Sequence, residues 1–140
     1  MSYLRQSVSL ELETDVTSQC FLHTTRDGHL IGIIEFSKAS FILKWGDLEF
    51  FRRRVEELSV MPFPDCISAM IIDVRNIAGF LDNEVPIIPW RLIEEDCPVR
   101  LIIPQERMEH YAGFFELTWL STDLESAITE LRASLDMFVH

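Results

Sequence analysis

The residues of this chain that could do chemistry are four histidines, three cysteines and many carboxylates, and their spacing joins few of them. His23, His29, His110 and His140 stand at no metal-ligand spacing with one another or with Cys20, Cys66 and Cys97, whereas metal sites draw on closely spaced Cys and His pairs. No metal and no other cofactor is expected. A cysteine nucleophile needs a base within reach and an electropositive setting. Only folding could bring His23, His29 or His110 to Cys66 or Cys97, and the apolar runs around the cysteines read instead as reduced, buried thiols. Glu94, Glu95 and Asp96 read as the solvated face of a short helix. The five glycines, at 28, 32, 46, 79 and 113, form neither of the Gly-rich loops that cradle nucleotide phosphates. No catalytic residue is assigned, and the chain reads as a non-enzyme.

Charge narrows the choice of partner. The sequence holds 23 acidic against 12 basic side chains, a formal net charge of −11, so a phosphate backbone or an anionic bilayer would repel most of its surface. Nucleic acid is not expected as a partner. A basic protein surface is the natural complement, although an acidic surface also serves solubility alone. Arg52, Arg53 and Arg54 fan through about 200° of a helix and read as salt links to Glu49, Glu56 and Glu57 rather than as a flat patch. Trp90 and Trp119 suit interface anchors, but a tryptophan among Ile87, Ile88, Leu92 and Ile93 is more often core.

The elements that would position these side chains follow from periodicity. Val8 to Glu13 alternates apolar and polar, the pattern of a half-buried strand. The runs Gln19–Thr24 and Leu30–Phe36 flank Arg26-Asp27-Gly28, a hairpin turn signal. Asp47 is a candidate N-cap for a helix carrying Leu48, Phe51, Val55 and Leu58 on one face, stopped by Met61-Pro62-Phe63-Pro64. Ile67 to Val74 is an apolar run that suits a strand buried on both faces. Trp90 to Asp96 suits a short helix, Val99–Ile103 a further buried strand closed by Pro104, Gln105–Ala112 a helix ending at Gly113, and Phe115–Leu120 a strand. Thr122-Asp123-Leu124-Glu125 has the form of a capping box, opening a helix whose stripe is Leu124, Ala127, Ile128, Leu131, Leu135 and Phe138. The expected fold class is α/β with a mixed sheet: amino-terminal antiparallel strands, central parallel strands, and about four helices packed mainly on one face. No repeat or linker divides the chain, so a single domain over 1–140, with its core at about 8–135, is expected.

This order resembles the STAS domain, the fold of sulfate transporters and anti-sigma factor antagonists. The resemblance rests on three stretches. Ile71-Ile72-Asp73-Val74 is similar to the family's Asp-ending strand, and Cys97-Pro98-Val99-Arg100-Leu101-Ile102-Ile103 to its next strand. Ser121-Thr122-Asp123-Leu124-Glu125-Ser126-Ala127-Ile128 is similar to the start of its closing helix. The resemblance implies a regulatory module that binds a protein: an anti-sigma factor that is also a serine kinase, or another STAS protein. It also implies a Ser or Thr, after the Asp-ending strand, whose phosphorylation switches binding off. Here Arg75 to Val85 contains no hydroxyl. Asp82, Asn83 or Glu84 fills the phosphoacceptor place, either as a carboxylate in place of a phosphate or simply as an N-cap. Pro86 and Pro89 delay or shorten the following helix. The partner-binding residues expected on this basis are Leu81, Asp82, Asn83, Glu84, Ile87 and Trp90, with Phe80, Val85 and Ile88 adding apolar surface.

The expected function is therefore non-enzymatic protein–protein regulation without a phosphorylatable loop. The alternative is a small-molecule or lipid-binding domain of the same fold, in which those apolar side chains line a pocket. The amino-terminal residues lack the apolar stretch of a signal peptide, and no run is long enough to cross a bilayer. A cytoplasmic protein without membrane insertion, able to form oligomers, is expected.

Overall fold

The computed structural model describes residues 5–9, 11–79, 97–113, 115 and 117–136. Among them the chain builds a five-stranded sheet in the order β1-β2-β3-β4-β5. The strands are β1 Thr17–Thr24, β2 Leu30–Lys38, β3 Ala69–Ile77, β4 Val99–Ile102 and β5 Leu120–Ser121. β1 and β2 form the expected antiparallel hairpin, in unbroken register from Thr17 opposite Ser37 to Thr24 opposite Leu30. Gly28 supplies its turn with a φ of 87°, where a Cβ would be strained. β2 to β5 then run parallel, so the class is mixed α/β, as the pattern implies.

Three α-helices are described: α1 Trp45–Ser59, α2 Met108–Ala112 and α3 Leu124–Asp136, with a 3-10 turn over Gln105–Arg107 leading into α2. The helix expected at Trp90–Asp96 lies outside the described residues. The helices do not share one face of the sheet. The period-two alternation of β2, β3 and β4 divides their apolar residues between two cores. Ile34, Phe36, Met70, Ile72, Val74, Val99 and Leu101 meet Phe51, Val55 and Leu58 of α1 and Tyr111 of α2. Ile31, Ile33, Ala69, Ile71 and Ile102 meet Ala127, Leu131 and Leu135 of α3. Both faces of β3 are thus covered, and Met70, Ile71 and Ile72 are fully buried, each contributing about 1.5–3 kcal/mol. No described helix is long and apolar enough to cross a membrane.

Other local expectations give way to tertiary contacts. Residues 11–16 join no ladder. Thr14 instead reaches the start of α1, its hydroxyl donating to Asp47 Oδ1 at 2.6 Å. Asp47 is not the N-cap. Lys44 holds that position, and Asp47, at the third helical residue, accepts the Lys44 backbone N–H at 2.8 Å. At α3 the cap is Asp123 rather than Thr122, with the Ser126 backbone N–H donating to Asp123 Oδ1 at 2.7 Å. Phe115–Leu120 yields a 3-10 turn over Leu117–Trp119 and only the short β5. β4 begins at Val99, two residues before the Leu101–Leu120 pair, so it offers no ladder partner to residues before Thr118, and the Thr118 carbonyl accepts from the Arg100 guanidinium instead. The thiols are not buried: Cys20 and Cys66 are exposed and Cys97 is half-buried. Among the described residues Cys20 sits on the outermost strand, with a ladder neighbour on one side only, and Cys66 lies between α1 and β3.

Candidate functional site

The carboxyl ends of β2 and β3 carry a dense set of polar contacts among the described residues, next to the start of the loop singled out by the sequence. Two features fix this end, one on each face of the sheet.

On the α1 face, Lys38 at the end of β2 is buried completely as a side chain, as is Asp47. Their ion pair is 2.9 Å long, and the Lys38 ammonium also donates to Asp15 and, at 2.7 Å, to Ser40. Desolvating two charges costs several kcal/mol unless their remaining hydrogen-bonding capacity is met. Here it is met: Asp47 accepts from Thr14, from the Lys44 backbone and from Lys38. Burial alone would push the Asp47 carboxyl up, but these bonds outweigh it and hold it below the usual carboxylate range. Burial would likewise pull the Lys38 ammonium down, and Asp15 and Asp47 instead raise it. Lys38 and Ser40 hold Asp15 far below its ordinary value.

On the α3 face, Asp73 of β3 is nearly buried and accepts from the Arg75 backbone N–H at 3.0 Å and from the Arg75 guanidinium at 2.7 Å. The guanidinium is raised first by that hydrogen bond, with the charges of Glu35 and Asp123 adding to the effect. Asp123 is held below its ordinary value mainly by the Ser126 backbone N–H, and Arg75 contributes.

Between the two faces the chain leaves β3 along a fixed course. The Arg107 guanidinium donates to three successive carbonyls, Ile77 at 3.2 Å, Ala78 at 2.9 Å and Gly79 at 2.7 Å. The Ala78 N–H donates to the Lys38 carbonyl at 3.0 Å. Gly79 passes so close to the β2–α1 connection that a Cβ there would stand 2.4 Å from the Phe41 carbonyl oxygen, so the position admits only glycine. Beside this anchored segment, Phe41, Ile42 and Trp45 are 65%, 74% and 77% exposed. A polar framework thus fixes the start of the loop, and large apolar side chains stand out to solvent next to it.

The partner-binding residues expected from sequence, Leu81, Asp82, Asn83, Glu84, Ile87 and Trp90, lie outside the described residues. Phe41, Ile42, Trp45 and Arg107 were not singled out by sequence. The signal for the first three is a cluster of large apolar residues, Phe41-Ile42-Leu43-Lys44-Trp45, with neither strand nor helix period. Arg107 offers none, since its partners are backbone atoms about thirty residues away in sequence. The arginine cluster behaves as expected: Arg52 pairs with Glu49 at 2.9 Å and Arg54 with Glu57 at 2.7 Å. Among the described residues no group of His, Cys, Asp and Glu could hold a metal ion. Comparison of the chain with family models, curated proteins and solved structures finds no match.

Proposed function

We propose that this protein is a non-enzymatic regulatory module that docks a protein partner at the carboxyl end of its sheet, in the manner of an anti-sigma factor antagonist. On this reading it is a cytoplasmic STAS-like domain whose loop is not controlled by phosphorylation of a hydroxyl. The observation that carries the reading is the pairing of an anchored loop start, Ile77–Gly79 under Arg107, with the exposed Phe41, Ile42 and Trp45 beside it. A rigid backbone carrying large exposed apolar side chains suits protein docking, because little ordering entropy is lost on binding. The element order, a hairpin followed by parallel strands joined through helices, also supports it. The absence of Ser and Thr from Arg75 to Val85 bears only on control of the loop, where it leaves no hydroxyl to phosphorylate.

The test is affinity capture from the native host with mass spectrometry, using the wild type, Trp45→Asp and Ile87→Asp as baits. Trp45 is the first residue of α1, where an aspartate favours the helix, so the variant keeps the fold while removing apolar surface. The expected result is a protein retained by the wild type and lost from both variants. A partner indifferent to both substitutions, or the reproducible absence of any partner, would overturn the reading.

A further inference from the structure

We propose that the outer edge of β1 is a homodimer interface, at which two copies of this chain pair their β1 strands antiparallel about a dyad through Phe21. β1 ends the sheet, and among the described residues no segment pairs with its outer side. Free edges of this kind are normally blunted by lysine, proline, a bulge or shortness. β1 has none of these: Thr-Ser-Gln-Cys-Phe-Leu-His-Thr is eight residues long with an unbroken register to β2. It also carries no carboxylate, lysine or arginine in a chain of net charge −11. A second copy therefore meets no like charge along this strand.

The backbone fixes which residues offer hydrogen bonds outward. The Thr25 N–H donates to the His29 carbonyl, and the Leu30 carbonyl accepts from Ser68, on the β3 side. Both observations place Thr17, Gln19, Phe21 and His23 in the bonded pairs with β2. The backbone groups of Ser18, Cys20, Leu22 and Thr24 then point to the free edge, since the two kinds of pair alternate. A dyad normal to the sheet places one residue opposite its own copy. With Phe21 there, Phe21 meets Phe21, Cys20 meets Leu22, Gln19 meets His23 and Ser18 meets Thr24.

Polarity matches at each of these pairs. Phe21 and Leu22 are 47% and 40% exposed in the single chain, and the register sets each against an apolar neighbour. Centring on Cys20 instead would oppose Phe21 to Gln19 and Leu22 to Ser18. Cys20 and Leu22 also border a mainly apolar groove of about 300 Å³ between β1 and α1, floored by Leu58 and Met61 and rimmed by the Arg54–Glu57 ion pair, which the added strand would cover. Asp15, which falls opposite Asp27 of the second copy just beyond the ladder, is already paired with Lys38.

Sedimentation equilibrium of the full chain at about 1–100 μM, a range that brackets weak to moderate dimers, is expected to give a dimer. Phe21→Lys, with unchanged circular dichroism, should weaken it about a hundredfold or more, since both copies lose a central anchor and gain an edge lysine. A wild type that is monomeric throughout, or a folded Phe21→Lys variant that stays dimeric, overturns the proposal. If Phe21→Lys does not fold, Phe21→Cys in a Cys20→Ser, Cys66→Ser background decides: mild oxidation should give a covalent dimer with a 21-to-21 disulfide by peptide mapping. Failure to form that bond counts against the interface.

Discussion

At the carboxyl ends of β2 and β3 the chain buries charge and satisfies it. Lys38 meets Asp15 and Asp47, and Arg107 meets three carbonyls. Along the outer edge of β1 it does the reverse, exposing Phe21 and Leu22 on a strand without charged side chains. The first arrangement gains little net stability from its ion pairs, because desolvation offsets most of the attraction, but it fixes where the backbone goes. The second fixes nothing within the monomer and leaves hydrogen-bonding groups and apolar area for another strand. Substitutions within the buried polar framework should therefore register as stability, and substitutions along β1 as association.

The largest effect should come from breaking the buried pair. Asp47→Ala leaves the Lys38 ammonium buried with only Asp15 and Ser40, and should cost about 3–5 kcal/mol in chemical denaturation. The double replacement Lys38→Met with Asp47→Leu should cost less than Asp47→Ala alone, since it removes both desolvated charges. Equal costs would mean that the site matters as packing and not as charge. The pH dependence follows from the directions. Asp47 is held below its ordinary value of 3.8, so its contribution is complete above that pH and is lost as pH falls through the lower, folded value. Lys38 is raised above 10.5, so its contribution is complete below that pH and is lost only as pH rises through the higher, folded value. Acid unfolding monitored by fluorescence should thus begin below about pH 4 and be blunted in Asp47→Asn.

Arg107→Ala should come next, at about 2 kcal/mol for the loss of charge-assisted bonds to partly buried carbonyls. Its more specific sign is local: amide exchange at Ala78 and Gly79 should accelerate more than exchange in β1. Uniform acceleration across the sheet would show that Arg107 serves global packing rather than the loop start.

What the sequence made legible was local. The β1–β2 hairpin, the Phe51-Val55-Leu58 stripe and the doubly buried β3 each depend on a period within one segment, and the structure shows each of them. The polar framework was not legible, because its partners are remote. Asp47 has the residue type of an N-cap, yet its carboxylate is used by Lys38 and Thr14, brought together by the β2–α1 packing. Residues 8–13 alternate like a strand, but alternation does not provide a neighbour to pair with, and residues 11–16 lead over α1 instead. Cys20 sits in an apolar run and is exposed because that run is the outermost strand, a fact of topology that no local window contains.

Asp123→Ala removes an exposed N-cap and should lower the midpoint of thermal or urea unfolding far less than Asp47→Ala does. It separates an exposed carboxylate of the carboxyl end from the buried Asp47, and a cost near that of Asp47→Ala would blur the distinction between framework and surface.

The smallest effect on stability is expected at the rim of the β1 groove, where the comparison can be sharpened by chemistry instead of energy. Arg54 pairs with Glu57 at 2.7 Å and lies 5.1 Å from the centre of the Phe50 ring, with 44% of its side chain exposed. Exposed pairs of this kind contribute about 0.5 kcal/mol or less, so Arg54→Ala should scarcely move the unfolding midpoint. The same residue acts on Cys20 across the groove. Although exposed, that thiol is partly desolvated by the groove walls, which pushes it up, while Arg54 pulls it down and Glu57 pushes it up. Removing Arg54 leaves only the two raising influences, so the thiolate fraction near pH 8 falls and alkylation of Cys20 should slow, while Glu57→Gln should speed it. Both rates should also drop with rising protein concentration if β1 is covered by a second copy, because Cys20 would then lie within the dimer ladder. Alkylation of Cys20 that ignores both charge and concentration would mean that the groove is open in every state of the protein.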